Sequence, residues 1–313
     1  METSKRFFKT TDNPIVMQKG TRTKNVRPVR NMKKRLLTAL VGVSFAVAWM
    51  FTIYTPLYSA ILAVFAAIAV YEMLKVFGVT NKVFFVLCEL IGVGTLLFPD
   101  YLKKYEIPLF PVFTVLLLLS MIIMVADFKR LKFEQVVCSL FSAVMIPAAL
   151  SCVIMMRDVY IDFPGLFRQQ DGVFFILLAF FCSWISDGCA LFAGMAFGKH
   201  KLAPNISPKK TVEGAVGGVI GNTLFCVALW AVFQYKFNLS SYIGIGWVIP
   251  VSVFLSVISV FGDLAASTIK RHHGIKDFGN LLPGHGGVMD RFDSSIFVFA
   301  AEYAIICIMG KIL

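Results

Sequence analysis

The chain has 313 residues, of which 58% are hydrophobic and 15% are charged, with a net charge of +12. This composition excludes an ordinary soluble domain, in which about a quarter of the residues are charged. The apolar stretches run for about 20 residues without alternation, the length that a helix needs to cross the hydrocarbon layer of a membrane. We therefore predict an all-α, polytopic bundle of membrane helices rather than a β-barrel.

The positive charge is concentrated at the N-terminus. Residues 1–36 hold eleven Lys and Arg side chains against Glu2 and Asp12, and this location argues against nucleic-acid binding. Such a segment is either the start of a signal peptide or a cytoplasmic anchor near anionic lipid. No A-x-A-like cleavage site follows, so we expect residues 1–35 to be a disordered cytoplasmic tail and residues 36–313 to form the transmembrane domain.

Nine membrane spans can be drawn in chain order, and the third is short enough to be re-entrant. They cover residues 36–55, 57–77, 83–98, 107–126, 134–156, 172–197, 212–234, 243–270 and 291–312. With the N-terminus inside, 24 Lys and Arg residues fall on inner segments and six on outer ones. This bias predicts a cytoplasmic N-terminus and places the polar segments 186–213 and 263–294 together on the cytoplasmic side.

Four polar side chains share one helical face at the end of the eighth span. Asp263, Ser267, Lys270 and Arg271 stand at positions i, i+4, i+7 and i+8. A carboxylate at membrane depth usually faces the bundle interior and has a partner. The alternative is a pair of basic side chains that reach toward the interface beside an incidental aspartate.

A glycine-rich loop follows, with five glycines and one proline among residues 274–287. Such a loop lets backbone N–H groups approach an anion, although a flexible loop would have the same composition, and the order differs from that of a P-loop. Asp290, Asp293 and Ser294 come next. Because proteins hold Mg²⁺ with one or two carboxylates plus substrate phosphates and water, Asp263 and Asp290 predict a Mg²⁺ site.

The histidines and cysteines do not indicate zinc. His272, His273 and His285 lie in or beside the glycine-rich loop, where phosphate contact or loop structure explains them better than metal ligation, and His285 is expected to touch substrate. The seven cysteines are scattered through apolar segments without a Cys-x-x-Cys pair, so we interpret them as small hydrophobic side chains.

A second polar cluster begins at Ser183 inside the sixth span, includes Asp187 and continues to Glu213 and Gly214. Its lysines could belong to an ordinary positively charged inner loop. Thr211-Val212-Glu213 could cap a helix, with Glu213 offsetting the helix dipole. The lysines are Lys199, Lys201, Lys209 and Lys210.

Together these residues resemble the signature of the phosphatidate cytidylyltransferase family, also called CDP-diacylglycerol synthases. The matching motifs are Ser267-x-x-Lys270-Arg271, Lys276-Asp277, Pro283-Gly284-His285-Gly286-Gly287 and Asp290-Arg291-x-Asp293. The resemblance covers residues 36–313, with the signature at 267–293 and a related preceding segment from Ser186 to Gly214. The chain differs at Lys209, Val212 and Ala266, where many members have Gly, Trp and Glu.

The resemblance implies transfer of CMP from CTP to phosphatidate in phospholipid biosynthesis, with release of pyrophosphate. It implies Mg²⁺ at Asp263 and Asp290, with K⁺ as a candidate second cation. We assign catalytic roles to Lys270, Arg271, Lys276, Asp277, His285 and Arg291. We assign ligand-binding roles to Asp187, Lys199, Lys210, Ser267, Gly286, Gly287 and Asp293.

The expected partners are CTP, phosphatidate and membrane lipid, and we expect no nucleic acid. The sequence leaves a homodimer open. The expected location is the plasma (inner) membrane, with the active site facing the cytoplasm. Two alternatives stay open: a CTP transferase that uses another lipid phosphate, and an ion-coupled transporter with intramembrane carboxylates as ion sites.

Overall fold

A computed structural model describes residue 42 and residues 44–97, 109–282 and 286–313. The predicted basic tail and Pro283, Gly284 and His285 lie outside the described residues. The described chain is mainly helical, and residues 44–50 are also helical. The helices are α1 Pro56–Val76, α2 Lys82–Leu97, α3 Leu109–Ala126, α4 Phe133–Arg157, α5 Val159–Asp162, α6 Gln169–Phe180, α7 Ser186–Phe197, α8 Val212–Phe237, α9 Ile245–His272, α10 Met289–Phe292 and α11 Ser295–Ile312.

The long helices coincide with the predicted spans, and the protein is a multi-pass membrane protein. Six stretches of the described chain are long and apolar enough to cross a membrane, namely α1, α4, α6 with α7, α8, α9 and α11. Helix α2 has 16 residues, and the described apolar part of α3 begins at Phe113. The count of nine spans and the cytoplasmic N-terminus therefore stay predictions.

The described chain also contains a two-stranded antiparallel hairpin, which the all-α prediction did not include. Strand β1 is Lys201–Ala203 and strand β2 is Ser207–Thr211. The hairpin joins the end of α7 to the start of α8. Thr211 caps α8 as the sequence suggested, because its side chain accepts a hydrogen bond from the Gly214 N–H at 3.1 Å.

Glu213 lies in the first turn of α8, as the sequence suggested for a side chain that offsets the helix dipole, and it also binds the chain before the hairpin. Its carboxylate accepts the backbone N–H groups of Lys199 and His200, at 3.0 Å and 3.1 Å, and contacts His200 Nδ1 at 2.5 Å. These bonds tie the first turn of α8 to the chain that leaves α7. Hydrogen bonds of Glu213 and Thr211 therefore fix the chain at both ends of the hairpin.

Small residues bring α7 and α8 into close contact. A Cβ atom at Gly221 would lie 2.7 Å from Cys189 Sγ, and one at Gly217 would overlap the methyl group of Ala193. Small residues at such spacing let membrane helices approach backbone to backbone. This packing fixes the position of Asp187 on α7 relative to the hairpin that follows.

Aromatic side chains form the packing between the first half of the bundle and the last helix. The ring of Phe180 lies 4.8 Å from that of Trp184 and 5.1 Å from that of Phe299 on α11. Trp49 and Tyr58 stack at 4.8 Å, and Trp49 also meets Phe180 at 6.3 Å. These contacts anchor α6 and α11, the helices beside the polar segments, in the apolar core.

Candidate active site

A buried lysine joins two aspartates at the centre of the predicted site. Lys270 Nζ on α9 lies 3.0 Å from Asp290 Oδ1 and 3.3 Å from Asp293 Oδ2. The side chains of Lys270, Asp290 and Asp293 are 10%, 4% and 10% exposed. Charges at this depth are tolerated when they are paired and hydrogen-bonded, so these three side chains form one unit.

The glycine-rich loop closes over Asp290. Its Oδ2 atom accepts the backbone N–H groups of Phe278 at 2.8 Å and Gly287 at 3.0 Å. Gly286 has a φ of +83°, and a Cβ atom there would lie 2.8 Å from Asp290 Oδ2. The sequence predicted that this loop would bring N–H groups to an anion, and the anion that they meet in the structure is the Asp290 carboxylate.

The second polar segment meets the first at Asp263. Lys210, in β2, forms an ion pair with Asp263 on α9, and both side chains are about one quarter exposed. Asp187 on α7 is exposed and lies within electrostatic reach of Lys210 and Asp263. The two segments that the sequence placed on one side of the membrane therefore form one charged site.

Close approach of α9 and α11 brings Asp263 toward Asp293. A Cβ atom at Gly262 would lie 3.0 Å from the Cα of Ser294. Asp293 is in the turn between α10 and α11, ahead of the last membrane helix. Burial raises the pKa of Asp293 to about 7, and the nearby Asp263 charge adds to this rise while Lys270 opposes it.

A π-helical turn at Phe181–Ile185 separates α6 from α7, and its Ser183 side chain contacts the two serines that follow Asp293. The Oγ atom of Ser183 lies 2.6 Å from that of Ser295 and 3.0 Å from that of Ser294. Single-turn π-helical segments of this kind are frequent at functional sites. Ser183 opens the second polar cluster identified in the sequence, although it was given no site role there.

Several predicted site residues lie at the edge of the charged cluster. The guanidinium of Arg271 donates to the carbonyl oxygens of Ile206 at 3.3 Å and Ile275 at 3.2 Å, so it ties the hairpin to the loop. Ser267 is buried on α9. The side chains of Lys199, Lys276, Asp277 and Arg291 are exposed, as are those of Arg271 and Asp187. Their catalytic and ligand-binding roles stay predictions, as does that of His285, which lies outside the described residues.

The sequence also missed Glu72, which lies beneath the loop. This α1 side chain is 5% exposed and accepts the backbone N–H groups of Val288 and Met289. A carboxylate inside an apolar span was the available signal. Glu72 lies more than 200 residues before the loop, so no local motif connects the two.

The donor atoms suit a hard cation. Within the described ranges, no group of three or more His, Cys, Asp or Glu side chains could hold a metal ion alone. Mg²⁺ ordinarily keeps water ligands and takes one or two carboxylates together with substrate phosphates. The carboxylates of Asp263 and Asp290 fit that chemistry when the substrate supplies the remaining oxygens.

The chain is similar over most of its length to known cytidylyltransferases. The model of the cytidylyltransferase family matches residues 33–309. A phosphatidate cytidylyltransferase of Bacillus subtilis is 32% identical over 291 residues, which cover 90% of this chain and 99% of the Bacillus protein. Proteins of the same name from Staphylococcus haemolyticus and Staphylococcus aureus are 41% and 42% identical over 148 and 151 residues, about half of each chain. The chain thus belongs to the cytidylyltransferase family.

Proposed function

We propose that the protein transfers CMP from CTP to phosphatidate and so produces CDP-diacylglycerol and pyrophosphate. One observation carries this proposal. The ion pair of Lys210 and Asp263 lies in the same charged cluster as the unit formed by Lys270, Asp290 and Asp293. Both lysines stand beside acidic side chains in one cluster, as a site for a triphosphate and a metal requires. The names of the relatives indicate the acceptor lipid.

The depth of the cluster suits a reaction between a lipid and a soluble nucleotide. Asp187 and Asp263 lie roughly 15 Å along their helices from the ends of α7 and α9. Both helix ends lie on the same side of the bundle, because α8 and α9 cross in opposite directions between them. On the positive-inside pattern we place this side in the cytoplasm of a bacterial cell, where CTP can enter.

The reaction needs no protein nucleophile. A phosphate oxygen of phosphatidate attacks the α-phosphorus of CTP, a new P–O bond forms, and the bond to the β-phosphate breaks with loss of pyrophosphate. A phosphate monoester is largely dianionic at neutral pH, since its second pKa is about 6. Asp277, the candidate base, is therefore optional.

The charged side chains stabilise the negative charge that moves to the leaving group. The ammonium groups of Lys210 and Lys270 are already held at the cluster by Asp263, Asp290 and Asp293, so they need little reorganisation when the triphosphate binds. Asp263 and Asp290 would hold Mg²⁺, which supplies charge neutralisation at the phosphates. K⁺ is a candidate second cation.

The test is pyrophosphate release by the purified protein in vesicles, with CTP, phosphatidate and Mg²⁺ each omitted in turn. We expect release, and CDP-diacylglycerol by mass spectrometry, when all three are present. If an isoprenoid or archaeal lipid phosphate is a better acceptor than phosphatidate, the acceptor lipid in the proposal changes to that compound. Solute flux across vesicles without CTP-dependent pyrophosphate release would favour the transporter and contradict the proposal.

A further inference from the structure

Glu72 is a buried carboxylate whose hydrogen bonds come from the backbone of the glycine-rich loop. Its Oε1 atom accepts the Val288 N–H at 3.1 Å, and its Oε2 atom accepts the Met289 N–H at 2.8 Å. Burial of a carboxylate is costly unless such bonds replace water. Bonds from N–H groups to an ionised oxygen are also stronger than those between neutral groups.

Two glycines let the loop lie directly on Glu72. A Cβ atom at Gly279 or at Gly287 would overlap the carboxylate oxygens of Glu72. These glycines stand on opposite arms of the loop, one after Lys276-Asp277 and the other before Asp290. Glu72 therefore contacts the loop both at Gly279 and at residues 287–289.

The same two arms hold Asp290 from their other side. The N–H groups of Phe278 and Gly287 donate hydrogen bonds to Asp290 Oδ2. Phe278 precedes Gly279, which lies against Glu72, and Gly287 itself lies against Glu72. A shift of the loop away from Glu72 would therefore also shift the groups that orient Asp290. The carboxylate of Asp290 in turn meets Lys270.

We propose that Glu72 is a positioning residue, which holds residues 278–279 and 287–289 in the conformation that presents Asp290 to nucleotide and metal. The catalytic consequence rests on the proposed function, whereas the order of the loop does not. Glu72 acts through Asp290 and needs no contact with substrate.

Substitution of Glu72 by Gln provides the sharpest test. The amide keeps the size of the side chain but turns an NH₂ group toward a backbone N–H, which breaks one hydrogen bond. The matched control is Glu89→Gln on α2, since Glu89 is a partly buried carboxylate in another apolar helix and takes no part in the loop contacts of the described residues. Both variants should insert and unfold at temperatures close to each other.

The first readout is hydrogen exchange of the purified protein, which needs no turnover. In Glu72→Gln the peptide that contains Val288 and Met289 should exchange about tenfold faster than in wild type, as expected for loss of a buried hydrogen bond. Glu89→Gln should leave this peptide unchanged. If Glu72→Gln fails to insert, Gly279→Ala replaces it, because the new methyl group displaces the carboxylate.

The second readout is the Mg²⁺ concentration for half-maximal pyrophosphate release. Loss of a positioning group should raise it about 10- to 100-fold, while KM for phosphatidate changes little. A folded Glu72→Gln protein with wild-type exchange in the loop and a wild-type Mg²⁺ requirement would overturn the inference. Faster loop exchange in a protein whose wild type makes no CDP-lipid would support the loop role and reject the proposed function.

Discussion

At the scale of single residues, the aspartates of the site differ in how they are held. Asp290 is almost fully buried and has both oxygens occupied, by Lys270 on one side and two backbone N–H groups on the other. Asp263 is about one quarter exposed and pairs with Lys210. The orientation of the Asp290 carboxylate therefore depends on the conformation of the loop, whereas that of Asp263 depends on Lys210 in the hairpin.

Replacement of either proposed metal ligand should abolish Mg²⁺-dependent turnover. We expect Asp290→Asn and Asp263→Asn each to lower pyrophosphate release at least about 100-fold, because the amide removes the negative charge that a cation requires. His272→Gln should have much less effect and serves as the control. Near-normal activity of Asp290→Asn across a Mg²⁺ titration would refute the ligand assignment.

Lys270 should also stabilise the fold, because it neutralises two buried carboxylates. Lys270→Met leaves both without their cation, and breaking such a pair typically costs about 3–5 kcal/mol. The double variant Lys270→Met/Asp293→Asn should regain part of this stability but no activity. Thermal unfolding in detergent and pyrophosphate release measure the two effects. Additive losses of stability would contradict the coupling.

Part of this site is predictable from the sequence. Asp263 and Lys270 share a helical face, and Asp290 and Asp293 stand three residues apart, so local spacing alone identifies them as candidates. Glu72 could not be assigned to the loop in this way. Its partners are backbone N–H groups more than 200 residues later, which have no side-chain signature.

At the scale of elements, helices were predictable and the hairpin was not. An apolar run long enough to cross a membrane needs internal hydrogen bonds, so it identifies a helix by length alone. Strands β1 and β2 have three and five residues and include Pro208 and several lysines. Their polar, short sequences show no alternation, and the pairing of Lys201 with Thr211 lies where the chain passes from α7 to α8.

The packing of α7 on α8 should depend on Gly217. Gly217→Ala places a methyl group against that of Ala193, and overpacking of this kind typically costs about 1–3 kcal/mol. The reciprocal change Ala193→Gly should restore stability in the double variant. The melting temperature in detergent measures this effect. An unchanged melting temperature in Gly217→Ala would show that the helices are less tightly packed than described.

At the scale of the whole molecule, the order in which the helices cross the bundle brings the charged residues of the site to one side. The site draws on α1, α7, the hairpin, α9 and the segment before α11, all of which end or turn on one side. The Lys and Arg distribution predicts which side faces the cytoplasm. Length and apolar composition identify six candidate spans among the described residues. The assembly state depends on contacts between surfaces, which this pattern does not encode.

The basic tail should be dispensable for chemistry. Removal of residues 1–30 should leave the turnover number in detergent unchanged, because every residue assigned to the site lies after residue 71. The expected loss is the tail's own contact with anionic lipid, to which each basic residue near such a surface contributes about 1 kcal/mol. Loss of turnover in detergent would contradict an anchoring role.

The most direct test of the account follows the phosphates of CTP separately. The purified protein receives phosphatidate, Mg²⁺ and CTP labelled at either the α- or the γ-phosphate. We predict that the α-label enters the lipid phase as CDP-diacylglycerol and that the γ-label is released as pyrophosphate. Transfer of the γ-label to the lipid, or CTP breakdown with no label in the lipid, would contradict cytidylyl transfer.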